Sequence, residues 1–247
     1  RIPSLPGRDV ILTIDLDAQL AAGQALQGKR GAAVAIDPRN GEVLAFVSTP
    51  AYDPNALSAG LSRRAYLALQ EDIDRPLFNR ALRGQYPPGS TIKPMVALAA
   101  LHYGVTTPER RVGCRGFFTL PGGSHRYRDW KPEGHGSVNL YSAIEQSCDV
   151  YFYNMARELG IERLGGFLQA FGLGDVTGVD IGGEQKGVVP SPEWKKKAFR
   201  RSGEQVWYPG ETVIAGIGQG YLLVTPLQLA HAAATIAARG QRFQPML

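Results

Sequence analysis

Gln85-Tyr86-Pro87-Pro88-Gly89-Ser90-Thr91-Ile92-Lys93-Pro94 is the stretch on which the fold turns. Pro87, Pro88 and Gly89 cannot propagate a helix, so Ser90 falls in the first turn of the next element. Pro94 is early enough to be tolerated, because first-turn amides have no intrahelical partner. The pattern predicts a helix that begins at Ser90. From Ile92 to Leu101 nearly every position is apolar, and Gly104 supplies a stop past His102 and Tyr103, as for a helix inside a core. Residues three apart share a face, so Ser90 and Lys93 can meet. Burial disfavours a lysine's charged form, and a neutral amine can take the proton of a serine hydroxyl. The stretch reads as a nucleophile, Ser90, with Lys93 as its base. The plainer reading, a cap followed by a solvent-facing charge, is the one that the rest of the chain has to displace.

Around that stretch, 247 residues with 44% hydrophobic content can bury a sizeable core, and one domain spanning 9–247 is the expectation. Residues 1–8, with Pro3, Pro6 and Gly7, read as a linker from a longer protein, since the chain begins at Arg1-Ile2-Pro3 with no signal peptide. No run of about 18 apolar residues is present to span a bilayer. A net charge of +5 makes acidic partners plausible. Nucleic acid is not expected, because no reading motif with interleaved aromatics occurs; Lys195-Lys196-Lys197 with Arg200 and Arg201 reads as a solvated face.

Val10 to Ile14 reads as a short strand and Leu16 to Leu26 as a helix. Ala32–Ile36 and Glu42–Ser48 flank the turn formers Asp37-Pro38-Arg39-Asn40-Gly41 and should pair as an antiparallel hairpin. A modest helix is expected around Ser62 to Gln70. Residues 105–138 are irregular and glycine-bearing; loops of that length are usually functional or disordered. Asn139 can cap a helix to Gln146, Val150 to Leu159 makes another stopped by Gly160, and 161–171 a third, followed by loops and short strands over 172–190. Thr225-Pro226-Leu227-Gln228 is a capping box with a first-turn proline, opening a helix to Arg239. Gly216-Ile217-Gly218-Gln219-Gly220 lacks dinucleotide spacing and reads as close backbone packing. His102 and His231 sit on apolar helices and read as core or rim residues.

Ser90-Thr91-Ile92-Lys93, followed downstream by Ser147-Cys148-Asp149, resembles the first two motifs of the penicillin-binding proteins and serine β-lactamases. The lead-in Tyr86-Pro87-Pro88-Gly89, the Arg128-Asp129-Trp130 and Gly134-His135-Gly136 segments, and Gly216 to Gly220 ahead of Thr225-Pro226 together resemble class B penicillin-binding protein 2, of the rod-shape elongation machinery, from residue 9 onward. The resemblance implies an α/β (α+β) transpeptidase fold, an antiparallel sheet flanked by helices. It implies a D,D-transpeptidase that attacks the D-Ala-D-Ala end of a peptidoglycan stem peptide, releases D-Ala, passes the acyl group to an acceptor amine, and is acylated by β-lactams. Ser90 would carry the acyl group, Lys93 would deprotonate it, and Ser147 would relay the proton. Asp149 stands where the wider family more often has Asn; it fits the penicillin-binding protein 2 branch and favours a charged lysine. Acyl transfer would need no cofactor. Partners would include a glycosyltransferase and elongation-complex membrane proteins, at the periplasmic face of a bacterial inner membrane. The family's third motif, Lys-Thr/Ser-Gly on a strand, does not occur in these residues and is expected beyond Leu247; a membrane anchor and amino-terminal domain are expected before Arg1. Two enzymatic alternatives are a serine β-lactamase and a D,D-carboxypeptidase. A non-catalytic β-lactam sensor or morphogenesis scaffold is the third.

Cys114 and Cys148 are the only cysteines, and Asp129 and His135 lie between them. Cys, Cys, His and Asp make a complete tetrahedral zinc set, though the spacing is not that of a zinc finger. A disulfide, two unrelated thiols and a structural zinc site all fit the sequence. Zinc there would clamp the long loop against the helix pair that presents Ser147.

Overall fold

The computed structural model describes residues 7–247. Residues 1–6, most of the expected linker, lie outside them. Val10 to Ile14 is not a strand; the segment runs extended into α1 (Leu16–Ala25), capped by Asp15, and Val10 and Ile11 are exposed. The hairpin forms as read: β1 (Gly31–Ile36) pairs antiparallel with β2 (Val43–Thr49), with the register shifting between Ala35 and Ile36. Its turn is closed by Asp37, whose backbone carbonyl accepts from Gly41 N while its carboxylate binds the Arg39 amide and guanidinium. On the far edge of β2, Val43 N donates to Met246 O at 2.9 Å. Two exposed helices come next, α2 (Pro54–Ala59) and α3 (Arg63–Glu71), then the single turn α4 (Arg80–Arg83); of these the sequence announced only α3.

The decisive stretch differs from its reading in one detail. Gly89–Ile92 is a 3-10 turn, and the α-helix, α5 (Lys93–His102), starts at Lys93 rather than Ser90. Pro94 then sits in the first α-turn, where it costs no hydrogen bond. Ile92, Met95, Val96, Ala97, Ala99 and Ala100 are buried against α7 (Asp149–Ala170), and the three largest contribute about 1.5–3 kcal/mol each by leaving water. Gly160, at φ 76° and ψ 162°, breaks α7 where the sequence placed a stop.

The 105–138 segment is more ordered than expected. It carries β3 (Val112–Cys114), β4 (Phe117–Phe118), β5 (Tyr127–Arg128) and β6 (Gly136–Val138), pairing β3 with β6 and β4 with β5. Strands of two or three residues have no readable period, so sequence cannot announce them. Asn139 caps α6 (Leu140–Glu145) with Ser142 completing a capping box. Over 172–190 no strand forms among the described residues; Val188 makes a lone bridge to Leu223. Two further helices, α8 (Pro192–Ala198) and α9 (Pro209–Ala215), precede α10 (Pro226–Ala237), whose Thr225/Gln228 capping box forms as read. His231 is buried on α10, with Nε2 2.7 Å from Phe243 O. No described helix is long and apolar enough to cross a membrane.

The basic run on α8 is not uniformly a solvated face. Lys195 is 3% exposed; its ammonium pairs with Glu211 and lies within 6.0 Å of the Phe199, Trp207, Tyr208 and Tyr221 ring centroids. That buried pair ties α8 to α9. Removing one partner leaves an uncompensated charge, so Lys195→Met should lower unfolding free energy by about 3–5 kcal/mol, and Lys195→Met with Glu211→Gln should recover part of it in denaturant titrations.

Gly218 marks a second constraint. Its carbonyl accepts from Gly89 N at 2.8 Å, its φ is +75°, and a Cβ there would stand 2.1 Å from Gly89 O. Gly218→Ala should cost about 2–4 kcal/mol, read as a lowered melting midpoint.

Candidate active site

Ser90 is held by the backbone on both sides. Tyr86 exchanges hydrogen bonds with Val224 at 2.9 Å each way, Gly89 is bound to Gly218, and Thr91 Oγ1 donates to Pro88 O at 2.6 Å. Two prolines without N–H groups separate these anchors, so the turn has few ways to rearrange. The result presents Ser90 exposed, one helical turn from a lysine that is 2% exposed.

Lys93 Nζ donates to Ser147 O at 2.8 Å, Ser147 Oγ at 2.9 Å and Asp149 Oδ1 at 2.6 Å. Three acceptors match the three hydrogens of an ammonium, and the Phe152 ring lies 5.5 Å away. None of these bonds reaches Ser90; catalytic hydrogen bonds commonly tighten only when substrate is present. Ser147 has a left-handed φ of 52°, rare for a residue with a Cβ, and it turns both carbonyl and hydroxyl toward Lys93. The strain sits between α6 and α7, where Ser147 N and Cys148 N still bond back to Ile144 O and Ala143 O.

Asp149, at the start of α7, faces two ways. Its second oxygen accepts from Trp130 N at 3.2 Å, and Trp130 Nε1 donates to Gln146 O at 3.0 Å. Trp130 is 63% exposed, so this indole borders the site and is missing from the set of residues that sequence spacing singled out. Its signal was the Arg128-Asp129-Trp130 segment of the resemblance, which gave it no role in the site. On the Gly218 side, a groove of about 690 Å³ is lined by Tyr127, Trp207, Tyr208, Ile214, Gly220 and Tyr221.

Cys114, Asp129, His135 and Cys148 converge behind Trp130. Their ligand atoms all lie within 4.8 Å of one another, and both cysteines are free, so the disulfide reading is not met. Asp129 Oδ2 is 3.5 Å from each sulfur; His135 Nδ1 is 3.5 Å from Cys114 Sγ and from Asp129 Oδ1. Bonds of about 2.3 Å to sulfur and 2.0 Å to nitrogen give tetrahedral edges of about 3.5 Å, so the donors fit zinc. The His135 and Asp129 side chains are 1% and 0% exposed, and His135 Nε2 is buried with no partner among the described residues. Burial pushes the Asp129 carboxyl up, but the Val150 and Lys131 amides, the Cys114 thiol and His135 more than offset it and hold it below the usual carboxylate range. Burial, with Cys114 and Asp129 adding to it, raises the Cys148 thiol far above its ordinary value, so unmetallated it is a neutral thiol.

Comparison with known proteins places these features in context. Residues 31–247 match the family model described as the penicillin binding protein transpeptidase domain. The chain is 48% identical over 239 residues to the peptidoglycan D,D-transpeptidase MrdA of Acinetobacter baumannii, covering 97% of this chain and 35% of that protein. It therefore spans about a third of that curated relative's length. Among solved structures, Pseudomonas aeruginosa PBP2 in complex with WCK 5153 superposes with a TM-score of 0.91 at 52% identity, covering 98% of this chain and 54% of that one. PBP2 from Helicobacter pylori, solved in a complex with MreC, gives 0.87 at 40% identity, covering 94% and 42%. The buried lysine beneath an exposed serine and the family match over most of the chain agree: this chain belongs to the penicillin-binding protein transpeptidase domain family.

Proposed function

We propose that this chain is the acyl-transfer domain of a peptidoglycan D,D-transpeptidase of the penicillin-binding protein 2 branch. The observation that carries the reading is the Lys93 ammonium held between Ser147 and Asp149, one turn from an exposed serine. Lys93 in its neutral form accepts the proton of Ser90 Oγ as that oxygen attacks the carbonyl of the penultimate D-Ala. Ser147 Oγ, 2.9 Å from Lys93 Nζ, hands its proton to the departing D-Ala nitrogen as the C–N bond breaks and takes the proton that Lys93 gained, which leaves Lys93 neutral. Asp149 stabilises the charged lysine between turnovers and fixes its position through Oδ1. An acceptor amine on a neighbouring stem then takes the acyl group, and β-lactams acylate the same serine. Acyl transfer uses no cofactor.

Zinc is the finer part of the reading. Cys114, Asp129, His135 and Cys148 would hold it, and the ion would supply a structural cross-link between β3, the β5–β6 loop and the start of α7. A domain of this kind would work at the periplasmic face of an inner membrane, beside a glycosyltransferase and elongation-complex membrane proteins; the Helicobacter pylori relative's complex with MreC supports that expectation.

Fluorescent penicillin should label the purified protein at Ser90 and persist, and Ser90→Ala should abolish the label. Rapid release of the label would favour a β-lactamase or carboxypeptidase, and crosslinking of lipid-linked substrate that survives Ser90→Ala would remove the serine from the chemistry. Metal analysis should find about one zinc per chain, lost in Cys148→Ser. A stoichiometry near zero in the unaltered protein would sink the metal site.

A further inference from the structure

The hairpin of β4 and β5 has two unlike faces. Phe118 and Tyr127 point inward, their rings 6.0 and 5.9 Å from Tyr153. Outward, Phe117 faces its cross-strand partner Arg128, and the Arg115 and Arg126 guanidinium carbons each stand 4.5 Å from the Phe117 ring centroid. Arg115, Arg126 and Arg128 are exposed, and among the described residues none takes part in an ion pair. Residues 110–131 hold six basic side chains and a single acid, Asp129, which is buried. The segment thus carries, on its own, a net charge equal to the +5 of the whole chain.

An unpaired arginine cluster repels itself, and placing it around a half-buried phenylalanine restricts it further. Stacking uses the guanidinium faces and leaves the N–H edges free, the edges that grip an oxyanion in a two-pronged fashion. Phe117 lies under the arginines instead of projecting beyond them, so the patch offers no apolar wedge for a lipid layer. The hairpin is also continuous with the serine site. Tyr153 Oη donates to Arg128 O at 3.0 Å, and Trp130, two residues on, is bonded to Asp149.

We propose that Arg115, Arg126 and Arg128 form a carboxylate-reading surface that holds the acidic portion of an uncrosslinked stem peptide while its D-Ala-D-Ala end lies at Ser90. The proposal rests on the transpeptidase reading and adds a determinant outside the reacting groups. A peptide with free carboxylates spaced along it complements a cluster of guanidinium edges. These arginines are positioning residues, acting on substrate capture.

The test uses the protein as its gene encodes it. Binding of a soluble disaccharide-pentapeptide from uncrosslinked peptidoglycan is measured by calorimetry at low and high salt. The same fragment with its stem carboxylates amidated is measured alongside. Arg115→Gln/Arg126→Gln/Arg128→Gln should weaken binding of the acidic fragment about tenfold, and the amidated fragment should bind parent and variant alike. An unchanged melting midpoint shows that the variant is folded, and Arg→Lys at all three positions, keeping charge without the fork, should recover only part of the loss. Equal binding of acidic fragment by parent and Gln variant overturns the proposal. So does a parent that discriminates poorly between acid and amide but loses binding to phosphatidylglycerol vesicles in the Gln variant, which would assign the patch to a membrane. Penicillin labelling of the parent is read separately: if Ser90 takes no label, the transpeptidase reading falls, whatever the fragment does.

Discussion

A buried ammonium is the constraint on which this structure depends. Lys93 is 2% exposed in a helix whose other buried side chains are all apolar. Taking an unpaired charge out of water costs several kcal/mol even after relaxation, so the fold must bring acceptors to it. It brings three, and all come from the junction between α6 and α7. That demand accounts for three local features: a left-handed serine at 147, which is otherwise unfavourable, a helix that begins with a carboxylate, and a tight loop whose amides are used up in the preceding turn. Asp149 at the N-terminus of α7 is also favoured by the helix dipole, so one side chain meets two requirements.

How much of this could be read from residues depended on how local the physics was. The Pro-Pro-Gly turn, the Asp37–Gly41 hairpin and the Thr225 capping box depend on a few neighbouring residues, and each formed where the sequence put it. The start of α5 was off by three positions, because proline at 94 permits either a 3-10 or an α first turn and the residues of that turn do not distinguish them. Val10 to Ile14 is a short apolar, β-branched run of the kind strands use, but it has no partner strand among the described residues, and composition cannot supply one. Lys195 was misread because three consecutive lysines look alike in sequence; only the cage from α9 and Tyr221 distinguishes the first of them. Sequence did bring Ser90, Lys93, Ser147 and Asp149 together through resemblance, and the four-residue cluster through composition. The geometry added Trp130 as the piece that joins the two groups.

That join gives the long loop a mechanical consequence. Asp129 accepts from Val150 N through the same oxygen that approaches both sulfurs, so the cluster grips the first turn of α7 directly. Trp130, the next residue, grips Asp149 from the other side. The loop cannot shift away from α7 without disturbing an oxygen of Asp149, and Asp149 cannot move without changing the environment of Lys93. The buried Cys114, Asp129, His135 and Cys148 cluster is thereby tied to the position of Lys93 through two backbone amides and one carboxylate. Gly116 and Gly134 show how closely the loop is folded to do this: a Cβ on either would stand 1.9 and 2.2 Å from the facing carbonyl, of Pro132 and Cys114 respectively. Those glycines shape the cluster, since a side chain at either position would push β3 and the β5–β6 loop apart.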